Sequence, residues 1–144
     1  MKQALKEAQK AFEIGEVPIG AVVVSQNTII ARSHNQTEML TDVTAHAEIL
    51  AITAASSHLG TKFLNHCTLF VTLEPCPMCA GALRHARFQR VVYGAADEKQ
   101  GFMRYGKEML HPTTTLEYGV QHSNCSNILK DFFALARCQS APRI

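Results

Sequence analysis

The sequence predicts an α/β protein, a three-layer α/β/α sandwich with a mixed five-stranded sheet. Helical and strand-like segments alternate in the order α, β, β, α, β, α, β, α, β, α, which places helices on both faces of one sheet. The first two strands form a hairpin and the last two are joined by a crossover, so antiparallel and parallel pairs coexist. Hydrophobic residues make up 47% of the 144 residues, enough for a buried core.

The first segments predict a helix and a β-hairpin. Residues 2–14 carry apolar side chains at three- and four-residue steps, and Gly15 ends this helix. Residues 19–25 and 28–32 are rich in β-branched side chains, which favour strands. Only the dipeptide 26–27 separates these two strands, as is typical of a tight hairpin turn.

The middle of the chain predicts two helices, each next to a strand. Residues 45–57 follow a polar loop and are rich in Ala, Leu and Ile, which is typical of a mostly buried helix. A strand is expected at residues 68–73, and Pro77 then opens a helix that runs to about residue 87. Residues 91–93 predict a further short strand.

The last third of the chain predicts a crossover, a weak strand and a final helix. Residues 95–112 are long enough for a crossover that contains a helix, so the strand at 113–118 is expected to be parallel to the strand before it. Residues 123–137 predict the final helix. Its apolar face is formed by Ile128, Leu129, Phe132, Leu135 and Ala136.

Size and charge limit the class of protein. A chain of 144 residues ordinarily builds one core, so we expect a single domain over residues 1–144. The net charge of +2 does not by itself indicate a polyanionic partner. The longest apolar run near the start, residues 19–24, is far shorter than the about 20 residues that span a bilayer, and no signal-peptide pattern follows Met1. We therefore expect a cytoplasmic protein without membrane association.

The five cysteines point to metal or redox chemistry. An odd number of cysteines without an export signal argues against a disulfide framework. Cys76 and Cys79 form a Cys-x-x-Cys pair at the start of a predicted helix. Cys67, Cys125 and Cys138 have no such partner, and we expect them to be buried apolar side chains.

Two short segments, residues 44–48 and 74–79, open two of the predicted helices. If Cys76 caps its helix and Pro77 takes the first helical position, both thiols of the pair lie on one side of the first turn. The helix N-terminus favours the thiolate form of cysteine, which binds metal. His46 and Glu48 can both lean over the open end of their helix, because helical side chains tilt toward the N-terminus.

These residues predict a catalytic metal site. One imidazole and two thiolates give three protein ligands, whereas zinc takes four, so water is expected as the fourth. Glu48 is not needed as a ligand and is free to move protons. Either motif alone is weak, because Cys-x-x-Cys pairs also serve as redox pairs. Together, with prolines on both sides of Cys76, they match the signature of zinc deaminases.

The residues around these motifs resemble the cytidine deaminase-like superfamily and, within it, the bacterial tRNA-specific adenosine deaminases. The similarity extends over most of the chain. The matching positions are residues 16–22, Asn35, residues 44–48, residues 69–82, residues 90–95 and residues 131–133. The chain departs from the family pattern at Val43, at residues 101–106 and at Asn124, on the expected substrate rim and the last helix.

The resemblance implies a cytidine deaminase-like fold and one zinc-dependent deaminase domain, with one zinc ion per chain on His46, Cys76 and Cys79. It implies that Glu48 moves a proton from the zinc-bound water to the purine ring and then to departing ammonia, converting adenosine to inosine at the wobble position. The implied substrate-binding residues are Asn35, Asp97, Lys99, Phe132, Phe133 and Arg137. The implied partners are a tRNA anticodon loop and a second copy in a homodimer.

Basic residues gather after the second motif, next to Phe102 and Tyr105: Arg84, Arg87, Arg90, Lys99, Arg104 and Lys107. They predict a basic, aromatic rim for a splayed RNA loop, with an ordinary solvated surface as the alternative. Two other functions remain open. A zinc deaminase of a free base or nucleoside, such as guanine or cytosine, shares every metal residue. A non-catalytic zinc-stabilised RNA-binding module is disfavoured by Glu48, which a structural site does not require.

Overall fold

The computed structural model describes residues 1–140, so residues 141–144, the end of the expected domain, lie outside the described part of the chain. Its strands are β1 (Gly20–Ser25), β2 (Thr28–His34), β3 (Cys67–Leu73), β4 (Arg90–Ala95) and β5 (Thr115–Tyr118). They form one sheet in the order β2-β1-β3-β4-β5. β1 runs antiparallel to β2 and β3, whereas β4 runs parallel to β3 and β5.

The helices are α1 (Lys2–Glu13), α2 (Ala47–Leu59), α3 (Pro77–Ala86) and α4 (His122–Ser140). α1 and α4 contact each other on one face of the sheet, and α2 and α3 contact each other on the opposite face. The mixed five-stranded sheet between two helical layers confirms the predicted fold class. The core lies largely between the sheet and α2 and α3, where the inward side chains of β3 and β4 meet Leu83 and Phe88.

The hairpin and the packing of α1 follow from local sequence. Gln26 and Asn27 have φ angles of 50° and 61°, the left-handed pair that a two-residue hairpin turn requires. Gly20 begins β1 directly beneath α1. A Cβ atom there would overlap the backbone of Ala4 and Ala8, so α1 reaches the sheet only because residue 20 has no side chain.

The predicted crossover exists, but the helix expected within residues 95–112 is wrong. That segment instead contains two single 3₁₀ turns, Phe102–Arg104 and Lys107–Met109. Gly106, with φ 103°, separates them in a conformation that no α-helix contains. The backbone N–H of Phe102 donates to Pro75 O, so this donor is used in a tertiary hydrogen bond and not within a helix.

The burial of the three cysteines outside the Cys-x-x-Cys pair was predicted correctly for two of them. Cys67 and Cys125 are buried as expected, whereas Cys138 is exposed. The reason is the length of α4, which continues to Ser140, while its residues after Phe132 are exposed. A cysteine in those last turns has no core to enter.

Within residues 1–140, none of the helices combines the length and the apolar character needed to cross a membrane.

Candidate metal centre and substrate pocket

The two predicted motifs come together at the N-termini of α2 and α3. His46 is the N-cap residue of α2, and Cys76 is the N-cap residue of α3, with Pro77 at the first helical position. The chain reaches Cys76 from the end of β3 through Glu74 and Pro75. The site therefore lies at the carboxyl end of a central strand, where two helix N-termini face it.

His46, Cys76 and Cys79 form a group whose ligand atoms all lie within 4.8 Å of one another. The Nδ1 atom of His46 is 3.7 Å from Cys76 Sγ and 3.5 Å from Cys79 Sγ. Zinc–nitrogen bonds of about 2.0–2.1 Å and zinc–sulfur bonds of about 2.3 Å at a tetrahedral angle place the nitrogen about 3.6 Å from each sulfur. The group could hold a metal ion, and its donor set and spacing fit zinc.

The electrostatics of the group also favour a metal. A hydrogen bond from Cys79 lowers the pKa of Cys76 to about 4, so Cys76 is a thiolate at neutral pH. The same hydrogen bond and burial raise the pKa of Cys79. The hydrogen bond with Cys76 raises the pKa of His46. Without a cation, Cys76 carries a negative charge and Cys79 keeps its proton, which a divalent ion would displace.

Glu48 lies in the first turn of α2, beside this group but outside it. It is 4% exposed, and its Oε1 atom has no hydrogen-bond partner among the described residues. Burial raises the pKa of this carboxyl. Because unpaired buried carboxylate oxygens are costly, such a residue is expected where it serves a ligand or a reaction.

A cavity of about 140 Å³ opens beside the metal-binding group. It is small next to the about 300–1,000 Å³ of typical ligand pockets, and it suits one planar ring rather than a whole nucleotide. The lining residues are Ile19, His46, Glu48, Leu73, Glu74, Cys76, Asp97 and Gln100.

The predicted substrate residue Asp97 lines this cavity, whereas Lys99 is exposed on the same loop. Asp97 Oδ1 accepts hydrogen bonds from the backbone N–H groups of Lys99 and Gln100, which defines the turn. Gln100 also lines the cavity and was not predicted to do so. Ile19 and Leu73 line it as well, and neither was predicted as a site residue. Ile19 and Leu73 lie in segments that match the family, but they are apolar residues next to or within strands, so only the fold shows that they line the cavity.

Asn35 is buried, but it is not among the residues that line the cavity. Its Nδ2 atom donates to Glu16 Oε2 at 3.3 Å, and Glu16 Oε1 accepts from the backbone N–H of Met39 at 2.7 Å. Glu16 thus ties Asn35 to the loop that leads to His46. The sequence offered Glu16 only as part of a matching segment and gave no sign of this role.

The predicted residues of α4 divide between two environments. Phe132 packs edge-on against Phe12 of α1, with 5.7 Å between ring centroids. Phe133 and Arg137 line a second cavity of about 310 Å³ together with Leu73 and Lys130. Since Leu73 borders both cavities, Phe133 and Arg137 lie next to the 140 Å³ cavity. Phe132 instead holds α4 against α1.

The predicted basic rim is not one surface. Arg87 follows the last turn of α3, a helix about 15 Å long, so it lies at the end away from Cys76. Its guanidinium lies 4.4 Å from the ring centroid of Phe63, and Arg90 pairs with Glu117. Phe102 is fully buried. α3 and β4 thus carry Arg87 and Arg90 to the opposite end of the sheet, whereas Lys99 and Arg104 stay together in the loop after β4, where Arg104 donates to Lys99 O.

Comparisons with known proteins agree with this geometry. A family model described as MafB19-like deaminase matches residues 1–137. The tRNA-specific adenosine deaminase of Aquifex aeolicus (strain VF5) is 44% identical over 142 residues, covering 95% of this chain and 93% of that protein. The tRNA-specific adenosine deaminase of Bacillus subtilis (strain 168) is 47% identical over 138 residues, covering 92% of this chain and 86% of that protein.

Solved structures of deaminases share this fold. One from studies of A-to-I editing by tRNA:A34 deaminases at the wobble position has a TM-score of 0.84 and 45% identity, covering 90% of this chain and 97% of that one. The guanine deaminase of Bacillus subtilis has a TM-score of 0.66 and 29% identity, covering 99% of this chain and 94% of that one.

Proposed function

Because the chain belongs to the deaminase family that includes the tRNA-specific adenosine deaminases, we propose that it converts adenosine to inosine at the wobble position of a tRNA anticodon. The observation that carries this proposal is the buried Glu48, whose Oε1 atom has no hydrogen-bond partner among the described residues, beside the group of His46, Cys76 and Cys79. A purely structural metal site has no need for such a carboxylate.

His46, Cys76 and Cys79 would hold one zinc ion in the single domain formed by residues 1–144. Zinc, when bound, supplies the Lewis acidity that makes a hydroxide nucleophile available near neutral pH. Cys76 and Cys79 stand at the N-terminus of α3, which stabilises the negative charge of their thiolate forms. Three protein ligands leave a coordination position for the reacting water.

Glu48 carries the protons in this proposal. It accepts one from the attacking water and gives it to the purine ring, and a further proton follows to the departing amino group, so that water replaces ammonia at the ring carbon. Burial raises the pKa of Glu48, which lets the carboxyl hold a proton between these steps. Its unpaired Oε1 atom is free to serve the substrate.

The shape of the site is consistent with a base that is taken out of its strand. The 140 Å³ cavity has room for one ring system, and Asp97 and Gln100 line it with polar groups. The neighbouring 310 Å³ cavity, with Lys130 and Arg137, would take the phosphates and the adjoining nucleotides. We therefore assign substrate contacts to Asp97, Phe133 and Arg137, with Asn35, Lys99 and Phe132 as further contacts implied by the family resemblance.

The zinc-loaded protein should form inosine from an anticodon stem-loop that carries a wobble adenosine, and it should release no ammonia from the same stem-loop with guanosine there. Free guanine, cytosine and cytidine, tested in parallel for ammonia release, should not react. The similarity to guanine deaminase makes free guanine the important competitor. If only a free base loses ammonia, the RNA assignment is wrong and the small cavity serves a base alone.

We also propose that the chain acts as a homodimer through the loop before His46. Met39, Leu40 and Val43 in that loop are exposed by 60%, 50% and 84%, and Met78 of α3 is exposed beside the metal group. Light scattering should therefore give about twice the 15.9 kDa of one chain. Val43→Glu should shift the protein toward the monomer, whereas Leu59→Glu, at the far end of α2, should not. A monomeric wild-type mass contradicts this proposal.

A further inference from the structure

We propose that Glu74 is a positioning residue, which fixes the loop of residues 97–103 against the pocket and thereby sets the places of Asp97 and Gln100. This inference deepens the proposed function and rests on it, because it concerns the same pocket. Glu74 stands two residues before Cys76, and its side chain borders the 140 Å³ cavity.

Both carboxylate oxygens of Glu74 bind this loop. Oε1 accepts a hydrogen bond from the backbone N–H of Asp97, and Oε2 accepts one from the backbone N–H of Met103, each at 3.3 Å. The carboxylate is 6% exposed, so these bonds replace its hydration. A charged acceptor gives stronger hydrogen bonds to N–H groups than a neutral one. One side chain thus holds both ends of the loop.

The backbone next to Glu74 completes the contact. The N–H of Phe102 donates to Pro75 O at 2.9 Å, and the N–H of Glu74 itself donates to Ala95 O at 2.8 Å. Between these bonds, Gly101 packs so closely that a Cβ atom there would overlap the Glu74 carboxylate. Residues 74 and 75, which lead into the metal-binding group, therefore hydrogen-bond the loop of residues 97–103 at several points. The lack of a side chain at Gly101 makes this close approach possible.

Different residues determine the shape of the loop and its position. The turn within the loop is made by Asp97 Oδ1, which accepts from the N–H groups of Lys99 and Gln100. The place of that turn relative to the metal group is set by Glu74 and Pro75. Loosening Glu74 should consequently move Asp97 and Gln100 together, while His46, Cys76 and Cys79 stay in place. The expected defect is in substrate binding and not in metal binding.

Glu74→Gln tests this directly, because the amide keeps the size of the side chain but sets an NH₂ group against one of the two backbone donors. With zinc-loaded protein and the anticodon stem-loop, we expect KM to rise about tenfold with kcat within about twofold, since a misplaced positioning group costs up to about 10²-fold. Amide hydrogen exchange at residues 97 and 103 should become at least about tenfold faster. Zinc content should remain that of the wild type.

Gly101→Ala provides a second variant in which Glu74 is intact and the loop is displaced by the added methyl group. It should raise KM in the same way. Glu117→Gln, which changes an exposed carboxylate of β5, is the matched control and should leave KM and exchange unchanged. Wild-type KM and wild-type exchange in folded, zinc-loaded Glu74→Gln and Gly101→Ala would overturn the proposal, even if both variants melt at lower temperature.

The exchange measurement keeps this inference distinct from the proposed function. If the wild-type chain deaminates neither the stem-loop nor a free base, the proposed function fails. Faster exchange at residues 97 and 103 in Glu74→Gln would then still support the role of Glu74 in fixing the loop. Unchanged exchange would overturn that role as well.

Discussion

Glu48→Gln should abolish inosine formation while the protein keeps its metal. The substitution preserves the size of the side chain but removes the group that accepts and returns protons. General acid–base catalysis contributes about 10²–10⁴-fold, so kcat should fall by at least about 10²-fold. Metal analysis should give the same zinc content as the wild type, because the metal-binding group consists of His46, Cys76 and Cys79 without Glu48.

A control variant and a stability measurement accompany the prediction for Glu48→Gln. Glu13→Gln removes an exposed carboxylate at the end of α1 and should retain full activity. The thermal stability of Glu48→Gln should equal or exceed that of the wild type, because a buried carboxylate with one unpaired oxygen costs free energy when ionised. Loss of zinc from Glu48→Gln, or retention of wild-type kcat, is incompatible with a proton-transfer role.

Gly20→Ala should destabilise the fold strongly, whereas Gly81→Ala should stabilise it. A Cβ atom at position 20 would overlap the backbone of Ala4 and Ala8, and neither can move without lifting α1 from the sheet. Overpacking costs about 1–3 kcal/mol, which for a chain of this size lowers Tm by about 3–12 °C. A Cβ atom at position 81 meets nothing within 4 Å, and alanine is favoured over glycine in a helix by about 1 kcal/mol.

Thermal unfolding of the two variants measures this pair of effects. The two substitutions add the same methyl group, so a general effect of lost backbone entropy in the unfolded chain would raise Tm in both. Opposite signs isolate the contact between α1 and β1. Equal Tm values for Gly20→Ala and wild type would show that α1 is not held against the sheet at this point.

The parts of the fold that are determined by neighbours in sequence were predictable. The hairpin followed from β-branched runs on either side of Gln26 and Asn27, and the start of α3 followed from Pro77. The helix expected within residues 95–112 was wrong because that segment takes hydrogen-bond partners from Glu74 and Pro75, more than twenty residues earlier. Length and composition carry no information about such partners.

The site shows the same division. Cys76 and Cys79 share one helical turn and His46 opens another helix, and the two motifs together predicted a common metal group. Gln100 could not be found in this way, because it becomes a pocket residue only through the position of its loop. The prediction of one basic rim was only partly right, for a related reason. Arg87 and Arg90 are close in sequence to Lys99 and Arg104, but α3 and β4 place them at the far end of the sheet.

The mixed pairing of the sheet has a consequence for the order in which the protein folds. β1 and β2 are joined by two residues and can pair within about 1–10 μs, whereas β3 must close a loop of more than thirty residues before it joins them. His46 lies within that loop and Cys76 follows β3. His46, Cys76 and Cys79 therefore meet only after the central strand has joined the sheet, and we expect zinc uptake to be a late step in folding.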